Sequence, residues 1–180
     1  MASSTTTPPV NQLHATEARW FAVHVNYKRE KQAERELRAR GIEVYLPLKA
    51  TTRVYTSKKR VIHFPLLSRY IFVRIVRHEY VPVLENPHVL AFVKEHRNLR
   101  AIRDEEMELL RRVAGDSRSV TVRESRLTGG EAVELVTGNL AGMRGQFVRE
   151  KGKNCFVIQL DSIGVHLQLE VDPADIRRLH

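Results

Sequence analysis

One cysteine in 180 residues rules out an internal disulfide, and Cys155, followed by Phe156 and Val157, is expected to be an inert thiol buried in a strand. No window approaches the roughly 18 consecutive apolar residues that a membrane helix needs. Met1-Ala-Ser-Ser-Thr-Thr-Thr-Pro-Pro9 has neither the charged start nor the apolar core of a secretion signal, so a soluble, cytoplasmic protein without membrane contact is expected. Catalytic patterns are missing too. Gly152-Lys153 is followed by Asn154, which is not the end of a phosphate-binding loop. The eight histidines do not pair with acids or with the cysteine at ligand spacing, and neither a nucleophile elbow nor paired carboxylates can be found. The expectation is a protein that is not an enzyme and carries no metal or cofactor.

What is present is charge, unevenly placed. Residues 18–113 hold 21 Lys and Arg against 11 Asp and Glu, a net of +10, whereas residues 130–180 hold 6 against 7, a net of −1. Such asymmetry suits a first module that approaches a polyanion or an acidic surface and a second that does not, although arginine-rich surfaces also serve solubility alone. Four segments are therefore expected: a Ser/Thr/Pro-rich disordered tail over 1–17, a basic domain over 18–114, a Ser/Thr/Arg-rich linker over 115–129, and a small domain over 130–180.

In the basic domain, Trp20, Ala22 and His24 alternate with Phe21, Val23 and Val25, which predicts a central strand covered on both faces. Residues 28–40 read as an exposed helix resting on Ala33 and Leu37, with Glu34 four before Arg38 and Gly41 as its stop. A second strand is expected over 42–48. Residues 53–65 read as a protruding hairpin around the polar tip Thr56-Ser-Lys-Lys-Arg60. A strong strand at 69–76, a short helix at 79–86 and a strand at 90–93 follow. Residues 104–113 form a helix with acids in its first turn and arginines in its last, as the macrodipole favours. This order predicts an α+β fold, an α/β sandwich on a mainly antiparallel sheet. Downstream, Val133, Leu135, Phe147, Phe156, Ile158, Leu160, Leu167 and Leu169 fall into short alternating runs punctuated by glycines, which predicts a small β barrel. Gly138, Gly142, Gly145, Gly152 and Gly164 each disfavour helix by about 1 kcal/mol, so a permanent β module is expected.

Three stretches in this order resemble the NusG family of transcription elongation factors: Arg19-Trp-Phe-Ala-Val with the charged helix behind it, Phe64-Pro-Leu-Leu-Ser-Arg-Tyr-Ile-Phe-Val73, and Gly138-Asn-Leu-Ala-Gly-Met-Arg-Gly145. The last is similar to a KOW motif, and Val171-Asp-Pro-Ala-Asp-Ile176 resembles the closing strand of that SH3-like barrel. Tyr45-Leu-Pro-Leu-Lys, the basic hairpin and Tyr80-Val-Pro-Val-Leu-Glu resemble specialised paralogues of the RfaH and UpxY kind, the latter being antiterminators of polysaccharide operons. The resemblance implies a monomer whose first domain binds the clamp helices of the largest RNA polymerase subunit through His24, Tyr70, Phe72 and Phe92. His24 stands where the paralogues carry an aromatic residue, and Phe72 and Phe92 could equally fill the core beneath a helix. It further implies contact of Arg53, Lys58, Lys59 and Arg60 with nucleic acid near the transcription bubble, including non-template DNA, against the alternative of a solvated turn. In the KOW module it implies that exposed Leu140, Met143 and Ile163 dock a small-subunit ribosomal protein or Rho; Ile163 replaces a residue that is typically aromatic in the housekeeping factor. The function so implied is suppression of pausing or termination. The alternative is a ribosome-associated or free RNA-binding KOW protein.

Overall fold

A computed structural model describes residues 11–55, 58–95, 97–124 and 129–179. In chain order the elements are β1 (Arg19–Val25), α1 (Glu30–Ala39), β2 (Glu43–Tyr45), β3 (Leu48–Tyr55), β4 (Lys58–Pro65), β5 (Tyr70–Ile75), α2 (Tyr80–Leu84), β6 (Val89–Phe92), β7 (Lys94–Glu95), β8 (Asn98–Leu99), α3 (Asp104–Gly115), β9 (Val120–Arg123), β10 (Glu131–Leu135), β11 (Arg144–Glu150), β12 (Lys153–Leu160), β13 (Val165–Glu170) and β14 (Ile176–Arg178). They gather into two compact units interleaved in sequence: Met1–Tyr45 with Arg69–Ile102, and Leu46–Ser68 with Arg103–His180.

The first unit is built on an antiparallel sheet of order β2-β5-β1-β6, so β1 is internal, as its doubly apolar pattern predicts. Register sorts its side chains. Ala22 lies across from Phe72, and His24 across from Tyr70, while Val23 lies between Ile71 and Phe92. Paired residues share a face, so Phe21, Val23, Val25, Ile71 and Val73 line one side, all fully buried. Helix α1 rests on Ala33 and Leu37, both without exposure, and carries the expected Glu34–Arg38 pair at 2.9 Å. It ends at Gly41, whose φ of +82° a side chain would strain. Glu30, buried at its start, accepts the Arg69 backbone N–H at 2.8 Å. Arg69 itself sits at φ +68°, and this bond fixes the turn that launches β5.

The disorder expected for 1–17 falls partly outside the described residues, and the rest is ordered. Gln12 donates its backbone N–H to Leu99 O and accepts from Ala101 N, Arg77 N bonds His14 O, and Leu13 is buried. A single apolar side chain plus these backbone bonds suffices to hold a segment whose composition reads as tail.

In the second unit β3 and β4 form a two-stranded sheet, the predicted hairpin with longer arms, while α3 buries Met107, Leu110 and Val113. The C-terminal strands pair antiparallel in the order β14-β10-β11-β12-β13-β9, with β14 and β9 at the edges. Strand β9 comes from the stretch read as linker. Val120 and Val122 alternate with Thr121 and Arg123 along β13, and Arg123 donates to Glu150 at 3.1 Å. The last strand begins at Ile176 rather than ending there, because Pro173–Asp175 is a 3-10 turn capped by Asp172. Gly145 is a packing requirement: a Cβ there would stand 2.5 Å from Val157 O and 2.7 Å from the Phe156 ring.

Candidate functional site

The aromatic face is the first candidate. His24 and Tyr70, paired across β1 and β5, place their rings 4.5 Å apart, and Tyr45 on β2 lies 6.5 Å from Phe72. These four therefore share one side of the sheet. Phe92 does not. Its partner Val23 belongs to the opposite side, where Phe92 meets Phe21 edge-on at 6.4 Å and stacks on Tyr80 at 4.6 Å. Phe92 therefore does not share a face with the other three residues of the expected docking set, since a strand position odd to His24 points away from it. Tyr70 keeps 6% of its surface and Phe72 none, so the expected open depression is filled in this conformation. Half-buried His24 and Tyr45 are what the cluster offers to solvent. Tyr45 was absent from the expected site; its position opposite Phe72 follows from register, which the sequence of β2 alone does not specify.

The second candidate is the β3–β4 hairpin. Residues 48–65 contain no acid, and Arg53, Lys58, Lys59 and Arg60 are all exposed. Register divides them. Arg53 lies directly across from Arg60 with Lys58 on the same side, whereas Lys59 faces the other way, across from Val54. Among the described residues no ion pair holds any of the four. Like charges directly opposite one another repel, so the Arg53–Arg60 position gains from an anion placed between them. Apolar surface accompanies the charge: Val54 is 68% exposed and Val61 61%. The tip residues Thr56 and Ser57 lie outside the described residues.

The base of this hairpin is anchored by a buried lysine. Lys49 Nζ donates to Val113 O at 3.2 Å and to Asp116 O, both at the C-terminal end of α3. Burial pushes its pKa down, and the nearby Asp116 carboxylate opposes that shift. A cation at a helix C-terminus meets the negative end of the dipole and the carbonyls left without an intrahelical partner.

The third candidate is the turn Gly138–Met143. The exposure expected of its apolar members is corrected: Leu140 is fully buried and Met143 nearly so, while Ile163, in the turn between β12 and β13, is half-buried. Helix α3 lies against this turn. Arg112 donates to Asn139 O at 2.9 Å and to Ala141 O at 2.7 Å, and Asn139 Nδ2 returns a bond to Arg112 O at 3.0 Å. One end of the helix is fastened as well, Glu106 accepting from the Ser162 hydroxyl and, at 3.4 Å, its backbone N–H. A cleft of about 500 Å³ remains beside the helix, lined in part by Arg103, Leu109, Arg144, Val157 and Ile158. No sequence pattern announces that Arg112, placed for the macrodipole, also reads two carbonyls 27 and 29 residues away.

Among the described residues no cluster of three His, Cys, Asp or Glu side chains is arranged to hold a metal ion, and no helix is long and apolar enough to cross a membrane.

No curated protein matches the chain in sequence. Among solved structures it is similar to NusG of Thermotoga maritima, in a structure titled for its domain interaction, with TM-score 0.58 and 16% identity over 91% of this chain and 98% of that one. At that identity the likeness speaks for the fold alone. The MjSpt4:Spt5 complex aligns at TM-score 0.32 and 17% identity over 89% of this chain and 97% of that one, too loosely to carry an argument. The family described as transcription termination factor NusG matches residues 18–111, which span β1 through most of α3 and so include the aromatic face and the hairpin; the chain belongs to the NusG family.

Proposed function

We propose that this elongation-factor-like protein binds transcribing RNA polymerase and suppresses pausing or termination, with the β3–β4 hairpin following nucleic acid beside it. The observation that carries the reading is the Arg53–Arg60 pair: two exposed guanidinium groups directly opposite each other, on an acid-free hairpin, with Lys58 on the same face. Such an array contributes nothing to packing. It contributes salt-dependent phosphate contacts without sequence information. In the proposed division of labour residues 18–114 engage the polymerase, residues 115–129 connect, and residues 130–180 recruit a second complex.

The polymerase surface is the His24, Tyr45, Tyr70 and Phe72 side of the sheet, directed at the clamp helices of the largest subunit. Because Tyr70 and Phe72 are buried, binding through them requires a conformation other than the one described, and His24 and Tyr45 are the groups met first. Factor binding acts by favouring the elongating conformation, which needs only a difference in affinity between states. On this proposal the chain is a specialised paralogue of the RfaH and UpxY kind, a reading supported by the resemblance of the basic hairpin and Tyr45-Leu-Pro-Leu-Lys, and its C-terminal module recruits a small-subunit ribosomal protein or Rho through Ile163 and the 138–143 turn.

In vitro transcription with purified polymerase tests this: shortened pause lifetimes are expected, and an unchanged pause pattern at saturating protein would refute it. The acid-free hairpin also favours a second reading, a KOW protein that binds RNA without polymerase. That protein would retain tight binding to naked RNA with a steep salt slope, whereas an elongation factor binds the core enzyme and has weak affinity for free nucleic acid.

A further inference from the structure

The last turn of α3 is fastened from outside by two side chains that come from different functional elements. A helix leaves its final carbonyls without intrahelical donors. Here those carbonyls draw on donors from elsewhere: Arg112 O on Asn139 Nδ2 of the 138–143 turn, Asp116 O on Lys49 Nζ of the hairpin base, and Val113 O on the same Lys49 Nζ beside the local Asp116 N–H. The same stretch reaches back. Arg112 holds Asn139 O and Ala141 O, and Arg118, braced by its backbone N–H on Asp116 Oδ1 at 2.9 Å, donates to Thr137 O at 3.4 Å. Residues 112–118 are thus a short junction with the hairpin on one side and the KOW turn on the other.

We infer that this junction couples the two: a nucleic-acid strand drawing on the hairpin and a protein docking on the 138–143 turn are linked through fraying or tightening of the last turn of α3. The inference rests on the proposed roles of hairpin and turn for its biological meaning, but its physical content stands without them. Removing Lys49 leaves Asp116 O without its side-chain donor and Val113 O with only the Asp116 backbone N–H at 3.2 Å. The last turn then frays, and fraying moves the backbone that carries Arg112 away from Asn139 and Ala141. Removing Arg112 does the same in the reverse direction, because a coupling free energy is reciprocal. The sign is therefore set: loosening one side loosens the other and exposes Leu140 and Met143.

Amide hydrogen exchange on the full chain reads this directly. Lys49→Met, which keeps the apolar stem and removes the ammonium, is expected to speed exchange on the order of tenfold at 138–143 as well as at the hairpin base. Arg112→Ala is expected to speed exchange at 113–116 and 48–50 as well as at 138–143, and Arg112→Lys, which keeps the charge but loses the forked geometry, to fall between. Effects confined to the mutated side in both variants would overturn the coupling. Arg112 is half-buried and lies outside the core, so its variant keeps the test decisive if Lys49→Met fails to fold. A single-stranded DNA oligonucleotide added to the wild-type chain is expected to alter exchange at 138–143, and to lose that effect in Arg112→Ala. Binding of the free oligonucleotide is expected to be weak and salt-dependent; at a concentration that occupies the chain, unchanged exchange at 138–143 would overturn the link to the hairpin, while the two variants still decide the junction.

Discussion

The sheet of β1, β2, β5 and β6 and the β3–β4 hairpin carry two of the three candidate surfaces, and they are opposites in how site and fold share residues. In the sheet, Tyr70, Phe72 and Phe92 are at most 6% exposed and belong to the packed interior. In the hairpin, Arg53, Lys58, Lys59 and Arg60 touch solvent and hold nothing in place. Apolar recognition and apolar packing use the same atoms, so a surface made of aromatics cannot be separated from stability by inspection. A surface made of repelling cations can be, since the fold gains nothing from it.

Substitution should expose this contrast most strongly at the buried end. Phe72→Ala is expected to destabilise the protein by about 3–5 kcal/mol in urea unfolding, because no surface of that ring is solvated. Polymerase binding would then be lost with the fold, and full stability in the variant would show the ring is not core. Gly145→Ala should be comparably harmful within the C-terminal strands, the new methyl meeting the Val157 carbonyl and the Phe156 ring; intact melting of that region would contradict the packing described.

The hairpin should behave in the opposite way. Arg53→Ala with Arg60→Ala is expected to leave the melting temperature unchanged or slightly raised by relief of like-charge repulsion, while the slope of log affinity for nucleic acid against log salt falls by about two. Unchanged slope would remove the pair from the nucleic-acid surface. His24→Ala tests the intermediate case, a half-buried residue at the rim of the aromatic cluster. A small stability change and a large loss of polymerase binding are expected, and pull-down with core enzyme measures it.

The smallest effect concerns pH. The Gln168 hydrogen bond, joined by the Arg123 charge, holds the Glu150 carboxyl below the ordinary carboxylate range. A depressed folded value stabilises the protein above the ordinary carboxylate pKa, and the contribution disappears as pH falls through the lower folded one. Gln168→Leu should lower the melting temperature near neutrality and converge with wild type in acid. A difference that persists in acid would assign the effect to packing.

Much of this architecture is readable from local pattern. The doubly apolar β1, the Ala33 and Leu37 stripe of α1, the basic hairpin and the glycine-punctuated C-terminal strands all follow from periodicity of 2 or 3.6 and from turn chemistry. The errors share a cause. Phe92 belongs with Phe21 and Tyr80 because β6 pairs with β1 in one register and not its neighbour, a choice that flips every side chain. Leu140 and Met143 are buried in a turn against which a helix distant in sequence lies. Val120–Arg123 joins β13 although its Ser, Thr and Arg surroundings read as linker.

By itself, then, the order of residues determined most of the segments that form strands and helices and where the positive charge collects, since both depend on neighbours within a few positions. Only the tertiary structure decided which aromatics face the same way, that Lys49 and Arg112 fasten the same helix end, and which apolar side chains are hidden. Those outcomes depend on register and on contacts between residues dozens of positions apart, which no local pattern encodes.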